Sequence, residues 1–259
     1  MNSLMEILGV MRYESGKLSP VEIGVATEYA LTILLNGREL VTLLCSPTYL
    51  DELTIGYLYC EGLIGKVDDL LGLSLNESKG IAWVYTKDRR DIANLPFKRI
   101  VTPGCGREAT LWTPLDMEVN PVDSQLEVSC KGLLELVKEF QRRSETWKMT
   151  HGVHAAALCT FQEILVFRED IGRHNALNKV FGHCFREGID TRYSIVISSG
   201  RISSEMLMKI ARGNVPILVS LSSATDQAVK LAKRFRITLV GLARGSKLTI
   251  YSVPERILV

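Results

Sequence analysis

Short apolar strands alternate with helices through the second half of the chain, and this alternation constrains the fold more than any other feature. Strands are predicted at 164–167, 194–197, 215–220, 237–242 and 248–251, and helices at 176–181, 203–212 and 225–235. Strands that take turns with helices predict an α/β fold with the sheet and the helices in separate layers. Because the strands are continuous apolar runs, we expect the sheet to be covered on both faces.

The first half of the chain has a different pattern, with strands in hairpin order and one early helix. Strands at 29–35 and 40–44 flank Asn36-Gly37, a dipeptide typical of tight hairpin turns. A helix is predicted after Thr48, with Thr48 and Asp51 spaced as a capping box and Gly62 as its stop. The remaining predictions are a frayed or weakly paired lead-in at 1–20, a strand at 81–85 and a helix at 132–143.

A polar, proline-containing stretch over residues 113–129 separates the two patterns. Domain boundaries usually fall in stretches of this kind, where few contacts cross. We therefore predict a smaller N-terminal α+β domain over residues 1–125 and a larger α/β domain over residues 126–259.

The overall composition excludes several classes of protein. The 259 residues include 31 Lys and Arg against 29 Asp and Glu, and a net charge of +2 argues against a dedicated nucleic-acid-binding surface. No apolar run is long enough to span a membrane, and residues 1–10 lack the basic leader of a secretion signal. None of the six cysteines forms a Cys-x-x-Cys pair or has zinc-ligand spacing to a histidine. We therefore expect a reduced, cytoplasmic protein without a metal site.

One cysteine, Cys105, stands in an unusual local sequence, Thr-Pro-Gly-Cys-Gly-Arg. Gly104 and Gly106 free the backbone on both sides, and Pro103 favours a turn. Arg107 supplies a nearby cation, which favours the reactive thiolate form of a cysteine. These features indicate a reactive thiol on a loop, and the alternative is a surface cysteine in an ordinary turn.

Polar segments follow the predicted strands of the second half, at 169–175, 198–205, 220–226 and 243–247. Ligands of open α/β sheets bind beyond the carboxyl ends of the strands. Hydroxyls, backbone N–H groups at helix starts and cations together form anion sites, so these segments predict a site for an anionic ligand. Arg244 and Lys247, which flank Gly245-Ser246, are the strongest candidates for contact with it. The absence of a Walker motif and of Gly-x-Gly-x-x-Gly argues against ordinary NTPase and dinucleotide-binding folds.

Three histidines have open roles. His151-x-x-His154 has metal-ligand spacing, but no third or fourth ligand accompanies it, and a structural role is the alternative for at least one of the three histidines. His174 is surrounded in sequence by Asp170, Arg173 and Asn175, a cluster that serves either a site or the architecture of a loop.

Several long motifs resemble one known family. They are residues 169–179 (EDIGRHNALNK), 199–205 (SGRISSE) and 239–245 (LVGLARG), with support from 151–157 (HGVHAAA) and 52–62 (ELTIGYLYCEG). Together they make the chain similar, over nearly its whole length, to the FdhD family of formate dehydrogenase accessory sulfurtransferases.

The resemblance implies a cytidine-deaminase-like α/β/α sandwich for the larger C-terminal part. The zinc signature of the deaminases, His-x-Glu with Pro-Cys-x-x-Cys, is missing here, so no zinc deamination is expected. Members of the family are cytoplasmic. They take persulfide sulfur from a cysteine desulfurase and pass it to a molybdenum (or tungsten) bis(molybdopterin guanine dinucleotide) cofactor, which formate dehydrogenase needs for activity.

The resemblance also assigns residues to these roles. Cys105 matches the persulfide-bearing cysteine of the family, and GDP or GMP would be analogues of the cofactor. The cofactor candidates are the segment that matches the guanine dinucleotide site and four residues of the polar strand ends: Leu242, Ala243, Arg244, Gly245, Ser246 and Lys247, with Arg173, His174, Ser199 and Arg201. A homodimer is also expected.

The chain departs from the family at one place. Many members carry Cys-Gly-x-Cys-Gly in the cysteine loop, whereas Glu108 occupies the position of the second cysteine here. One thiolate is chemically sufficient to accept and donate the outer sulfur of a persulfide. Two alternatives stay open: a cofactor carrier or chaperone without sulfur chemistry, and a cysteine hydrolase that uses Cys105 with His154 or His174.

Overall fold

The computed structural model of the chain describes residues 3–87, 98–101, 109–112 and 119–259. The chain begins with a long antiparallel hairpin of two ten-residue strands, β1 (Met5–Glu14) and β2 (Lys17–Ala26). Ser15 and Gly16 connect them, and both have positive φ (51° and 84°), as a type I′ turn requires. The predicted frayed or weakly paired lead-in is therefore wrong for residues 5–20, because this turn pairs residues 5–14 with residues 17–26 in a regular antiparallel ladder.

A four-stranded sheet and one helix follow. The strands are β3 (Tyr29–Leu35), β4 (Arg38–Cys45), β5 (Leu70–Asn76) and β6 (Ile81–Thr86), in the spatial order β4-β3-β6-β5. Asn36 and Gly37 connect β3 to β4 with positive φ (51° and 83°), so the predicted hairpin is confirmed. Helix α1 (Leu50–Cys60) packs on this sheet around Leu53 and Leu58, which are fully buried.

The predicted capping box of α1 is wrong. Tyr49 takes the N-cap position in a left-handed conformation (φ 51°), and no side chain caps the helix. Because Tyr49 rather than Thr48 is the N-cap, the helix starts one residue later than predicted. Thr48 Oγ1 is consequently buried without a hydrogen-bond partner among the described residues.

Three short strands lie between the two larger sheets in the chain. Strands β7 (Lys98–Val101) and β8 (Ala109–Trp112) form an antiparallel pair. Strand β9 (Val128–Ser129) leads into α2 (Cys130–Arg143), whose N-cap Ser129 accepts a hydrogen bond from the backbone N–H of Gly132 at 3.0 Å. A short helix, α3 (Glu145–Thr150), follows.

A six-stranded mixed sheet forms the centre of the second half. Its strands are β10 (His154–Cys159), β11 (Ile164–Asp170), β12 (Ile195–Ser198), β13 (Ile217–Ser220), β14 (Thr238–Arg244) and β15 (Lys247–Ser252). The order is β11-β10-β12-β13-β14-β15, with β12, β13 and β14 parallel and the other neighbours antiparallel. The last strand, β16 (Ile257–Leu258), pairs with β9.

Helices cover both faces of this sheet, which confirms the predicted α/β class. On one face lie α4 (Arg173–Glu187), α5 (Ser204–Arg212) and α6 (Asp226–Arg234), packed on strand residues such as Leu158 and Leu218. On the other face, α2 packs its buried Leu133, Val137 and Phe140. The likeness to cytidine deaminases and the boundary between residues 125 and 126 stay predictions.

Helices α1 and α4 cross at very close range and join the two halves of the chain. Gly56 of α1 faces the backbone of Asn178, and Gly182 of α4 faces the backbone of Glu52. A Cβ at either glycine would overlap the carbonyl oxygen of the facing residue. Only residues without a side chain allow this separation of the two helices.

A fully buried ion pair forms a second connection between the halves. Lys179 Nζ lies 2.6 Å from Asp170 Oδ2, and neither side chain is exposed. The backbone N–H of Ser46, which follows β4, donates to Asp170 Oδ2 at 3.0 Å, and Lys179 donates to the carbonyl of Ser46 at 3.1 Å. Each charge is thus paired with the other and also bonded to the backbone of Ser46, in the N-terminal half of the chain.

Candidate functional site

The topology of the six-stranded sheet brings the polar strand ends together at one edge, namely the side of the sheet at which the parallel strands end. Strands β11, β12, β13 and β14 all run towards this edge, and the antiparallel β10 begins there. Helices α5 and α6 start at the same edge, capped by Ser203 and Thr225. The partial positive charge of helix N-termini makes this edge favourable for anions.

A cavity of about 660 Å³ opens at this edge. Its volume lies within the usual range for sites that bind small molecules and cofactors. The lining combines aromatic and aliphatic walls with a few polar groups: Phe140, Gln141, Ser144, Trp147, His151, Gly152, Val153, His154, Ala155, Ile171, Ser199, Leu221 and Arg244.

Ser199 and His154 form a polar pair in the cavity wall. The Ser199 hydroxyl lies 3.2 Å from His154 Nδ1 and accepts a hydrogen bond from the backbone N–H of Ala155 at 2.9 Å. Burial lowers the pKa of His154, and the nearby charge of Arg173 lowers it further. The ring is therefore neutral near pH 7, and one of its nitrogens is able to accept a hydrogen bond.

Arg244, the arginine of the cavity wall, belongs to the hairpin between β14 and β15. Arg244 and Lys247 lie opposite each other across a turn in which Gly245 has positive φ (60°). Two cations opposite each other repel, so an anion between or beside them is stabilised. The segment 243–247, predicted as a strand-end loop, is thus a hairpin turn between two strands.

Residues 242–247 form the segment that the resemblance matches to the guanine dinucleotide site. Its other members have different surroundings from Arg244 and Lys247. Ala243 lies fully buried in the core on the α2 side of the sheet. Leu242 is half-exposed with positive φ (53°), and Gly245 and Ser246 are exposed. Only Arg244 of this segment lines the cavity.

Arg173 and His174 occupy the first turn of α4 rather than the predicted loop over residues 169–175. The Arg173 side chain lies directly over Gly200, where an added Cβ would approach it to 2.9 Å. Arg173 Nε is buried without a hydrogen-bond partner among the described residues. Arg201, the residue after Gly200, is exposed.

His174 points towards α5. Its Nε2 lies 3.6 Å from Glu205 Oε2, too far for a hydrogen bond, and is buried without a partner in the described part of the chain. Beside it, Lys209 Nζ and Glu61 Oε1 form a buried pair at 2.7 Å. Because α1 and α5 are far apart in sequence, the sequence carried no signal for this cluster.

Replacing His174 with Gln should make the stability of the protein less dependent on pH. Burial, followed by the charges of Lys209 and Arg173, holds the pKa of His174 well below its ordinary 6.5. Below that pH the unfolded chain takes up a proton that the folded protein does not, so stability falls by at most about 1.4 kcal/mol per pH unit.

Urea unfolding between about pH 7 and about pH 5 measures this effect. His174→Gln should lose less stability over the range than the natural chain, although His154 keeps part of the dependence because its pKa is also lowered. His151→Gln, at an exposed ring, is the control and should follow the natural chain. Equal slopes for the natural chain and His174→Gln would contradict the prediction.

Sequence reasoning missed the wall of the cavity that α2 and α3 supply. Trp147 and His151 stand edge to face there, with ring centroids 4.7 Å apart. This wall does not follow a strand of the sheet, so the rule that ligands bind beyond strand ends does not point to it. His151 and His154, considered above as a metal pair, both line the cavity. The described residues contain no cluster of three metal-binding side chains.

Cys105 lies outside the described residues, but the structure places five other cysteines. Cys45, Cys60, Cys159 and Cys184 are buried, and burial raises the pKa of each to about 12. These four remain protonated and inaccessible near pH 7. Cys130, at the start of α2, is partly exposed. None of the helices that the structure describes is long and apolar enough to cross a membrane.

Comparisons with known proteins agree with the fold and the motifs. The sequence model of the FdhD/NarQ family matches residues 26–258. The chain is 39% identical over 254 residues to the "Sulfur carrier protein FdhD" of Bacillus subtilis (strain 168), with 96% of this chain and 95% of the relative covered. The protein of the same name from Staphylococcus aureus (strain MRSA252) is 40% identical over 251 residues, covering 96% and 95%.

A solved structure is similar throughout. It is described as a putative formate dehydrogenase accessory protein from Desulfotalea psychrophila and superposes with a TM-score of 0.83 at 26% identity. The superposition covers 99% of this chain and 100% of that one. The similarity therefore includes both sheets and the cavity edge.

Proposed function

Because the chain belongs to the FdhD/NarQ family, we propose that it is a sulfur carrier that serves formate dehydrogenase. In this proposal Cys105 accepts sulfur from a cysteine desulfurase in the cytoplasm and delivers it to a molybdenum bis(molybdopterin guanine dinucleotide) cofactor. The relatives named above support the role of carrier, and the chemistry of the described residues supports the assignments that follow.

The elimination of the other cysteines supports Cys105 as the carrier. A thiol must ionise to attack sulfur, and four cysteines are buried with a pKa of about 12. Only Cys130 and Cys105 remain, and only Cys105 has glycines on both sides and an arginine two residues away. In the first step the Cys105 thiolate attacks the outer sulfur of the desulfurase persulfide, forms a new persulfide and releases the desulfurase thiolate.

The cavity at the sheet edge supports the second part of the proposal, which is that the chain binds the cofactor. Trp147 offers an aromatic surface for a planar base, and Arg244 offers a cation for phosphate. Ser199 and the neutral His154 supply hydrogen-bonding groups between these two ends. A cavity of about 660 Å³ is large enough for one guanine nucleotide, so we assign it to one such unit of the cofactor.

Intact mass after incubation with a cysteine desulfurase and cysteine tests the carrier function. The natural chain should gain one sulfur atom that a reductant removes, and Cys105→Ala should gain none and fail to activate formate dehydrogenase. Cys130→Ala is the matched control, because Cys130 is the one cysteine of the described residues that is not buried, and this variant should gain sulfur like the natural chain.

Calorimetric titration with GDP separates carrier function from cofactor binding. Cys105→Ala should bind GDP as the natural chain does, whereas Arg244→Ala should bind it roughly 10-fold more weakly, because one charge-assisted contact is lost. Sulfur gain by Cys105→Ala would refute the assignment of the cysteine. No sulfur gain in any chain, with GDP still bound, would instead favour a cofactor carrier without sulfur chemistry.

A further inference from the structure

One wall of the cavity belongs to α3, a helix that is too short to be stable by itself. It has six residues, and isolated helices of this length do not persist in water. Trp147, the tryptophan that α3 contributes to the cavity wall, is 47% exposed, so burial alone does not hold it in place. The N-cap residue Ser144 provides no side-chain cap, because its hydroxyl donates to the carbonyl of Phe140. The first turn of α3 therefore depends on another part of the chain.

Glu169, near the end of β11, supplies the missing cap. One of its carboxylate oxygens accepts the backbone N–H of Thr146 at 3.3 Å, and the other accepts that of Trp147 at 3.2 Å. These are two of the N–H groups that a helix leaves without partners at its start. The partial positive charge of a helix N-terminus also favours a carboxylate there. A side chain from the central sheet thus replaces the usual N-cap.

The alternation of side chains along β11 directs Glu169 towards α3. Arg168 and Asp170, its neighbours in the strand, form ion pairs with α1 and α4 on the opposite side of the sheet. The side chain of Glu169 consequently points to the face that α2 and α3 cover. Glu169 pairs in the sheet with Ala155, which lines the cavity, but is not itself among the residues of the cavity wall.

The far end of α3 holds the same tryptophan. His151 ends the helix in a left-handed conformation (φ 51°), and its backbone N–H donates to the carbonyl of Trp147 at 2.7 Å. Both backbone polar groups of Trp147 are therefore bonded, the N–H to Glu169 and the carbonyl to His151. Of these two contacts, the one to Glu169 connects the tryptophan to the six-stranded sheet.

We propose that Glu169 is a positioning residue for the cavity: its carboxylate holds α3 against the sheet so that Trp147 presents its ring to the planar base of the ligand. This inference rests on the proposed function, in which the base is guanine. Glu169 acts through the helix and makes no contact with the ligand itself.

The phosphate end of the cavity does not depend on α3. Arg244, the proposed contact for phosphate, belongs to β14, which lies between β13 and β15 in the sheet. When the first turn of α3 opens, the base loses its aromatic surface while this cation stays in place. The apparent affinity of a ligand falls with the fraction of the protein in the binding-competent conformation. Loss of the Glu169 carboxylate should therefore weaken the binding of ligands that contain a base and spare ligands that consist of phosphate alone.

The affinities for GDP and for inorganic pyrophosphate, both measured by calorimetry, test this division. Glu169→Ala should bind GDP roughly 3- to 10-fold more weakly, as expected for the loss of a helix cap, and should bind pyrophosphate like the natural chain. Glu169→Gln keeps one oxygen that accepts an N–H and should lose less affinity for GDP. Glu163→Ala is the matched control and should bind both ligands like the natural chain, because Glu163 is exposed just before β11, roughly 20 Å from Glu169.

Hydrogen exchange of the ligand-free protein, measured by mass spectrometry, reports on the helix directly. Peptides that cover residues 145–151 should exchange faster in Glu169→Ala than in the natural chain or in Glu163→Ala. Unchanged exchange, unchanged affinity for GDP, or an equal loss of affinity for GDP and pyrophosphate in Glu169→Ala would each overturn the proposal. A natural chain that binds no GDP would instead overturn the proposed ligand, and the exchange measurement would still decide whether Glu169 holds α3.

Discussion

Replacing Lys179 with Met should lower the free energy of unfolding by about 3–5 kcal/mol. The substitution leaves the Asp170 carboxylate fully buried without its counter-charge. Three donors would still reach this carboxylate, from Ser46, Gly172 and Asn175, but none of them carries a charge. A buried charge that loses its partner is costly because desolvation is no longer offset.

Urea unfolding of three variants distinguishes the cost of leaving Asp170 unpaired from the cost of removing a lysine in general. Lys230→Met removes an exposed ion pair with Asp226 and should change stability by less than about 0.5 kcal/mol. Lys179→Met/Asp170→Asn should recover part of the loss, because the uncompensated negative charge is then gone. A loss below about 1 kcal/mol for Lys179→Met would show that water or a neighbouring group compensates Asp170.

Gly182→Ala should destabilise the protein by about 3 kcal/mol. The new Cβ would overlap the carbonyl oxygen of Glu52, and the backbone of α1 cannot turn aside as a side chain can. Alanine would otherwise favour the helix by up to about 1 kcal/mol, and the expected loss of about 3 kcal/mol already includes this gain. Gly56→Ala should behave alike, because it meets the backbone of Asn178 at the same crossing.

Gly72→Ala is the matched control for both substitutions. Gly72 lies in β5 with no atom within 4 Å of an added Cβ, so stability should hold or rise slightly. Thermal unfolding of the three variants makes the comparison. Wild-type stability for Gly182→Ala would mean that α1 and α4 move apart freely and that their close crossing is not required.

Local patterns in the sequence predicted much of the fold. The apolar face of α2 and the Asn36-Gly37 turn depend on neighbouring residues only, and both were found as expected. Strand β10 was missed because its centre is Ala155–Ala157, and alanine favours no strand. The hairpin of β1 and β2 was missed because Ser15-Gly16 is a weaker turn signal than Asn-Gly.

Only those residues of the candidate site that lie at the ends of strands could be predicted from the sequence. Ser199 and Arg244 follow from the rule for sheet edges, and both line the cavity. Trp147 and Phe140 belong to helices whose position against the sheet depends on packing of the whole molecule. The contact of His174 with Glu205 likewise depends on how α4 meets α5. Tertiary packing, which no local pattern encodes, determines these residues.

The described walls of the cavity all come from residue 140 onward, whereas Cys105 precedes them in the chain. The residues that line the cavity and the cysteine proposed to carry sulfur therefore lie in separate stretches of the sequence. Substitutions near the cysteine, such as Glu108 in place of a second cysteine, leave every described wall residue unchanged. Natural selection can therefore alter the proposed sulfur chemistry without changing the residues that line the cavity.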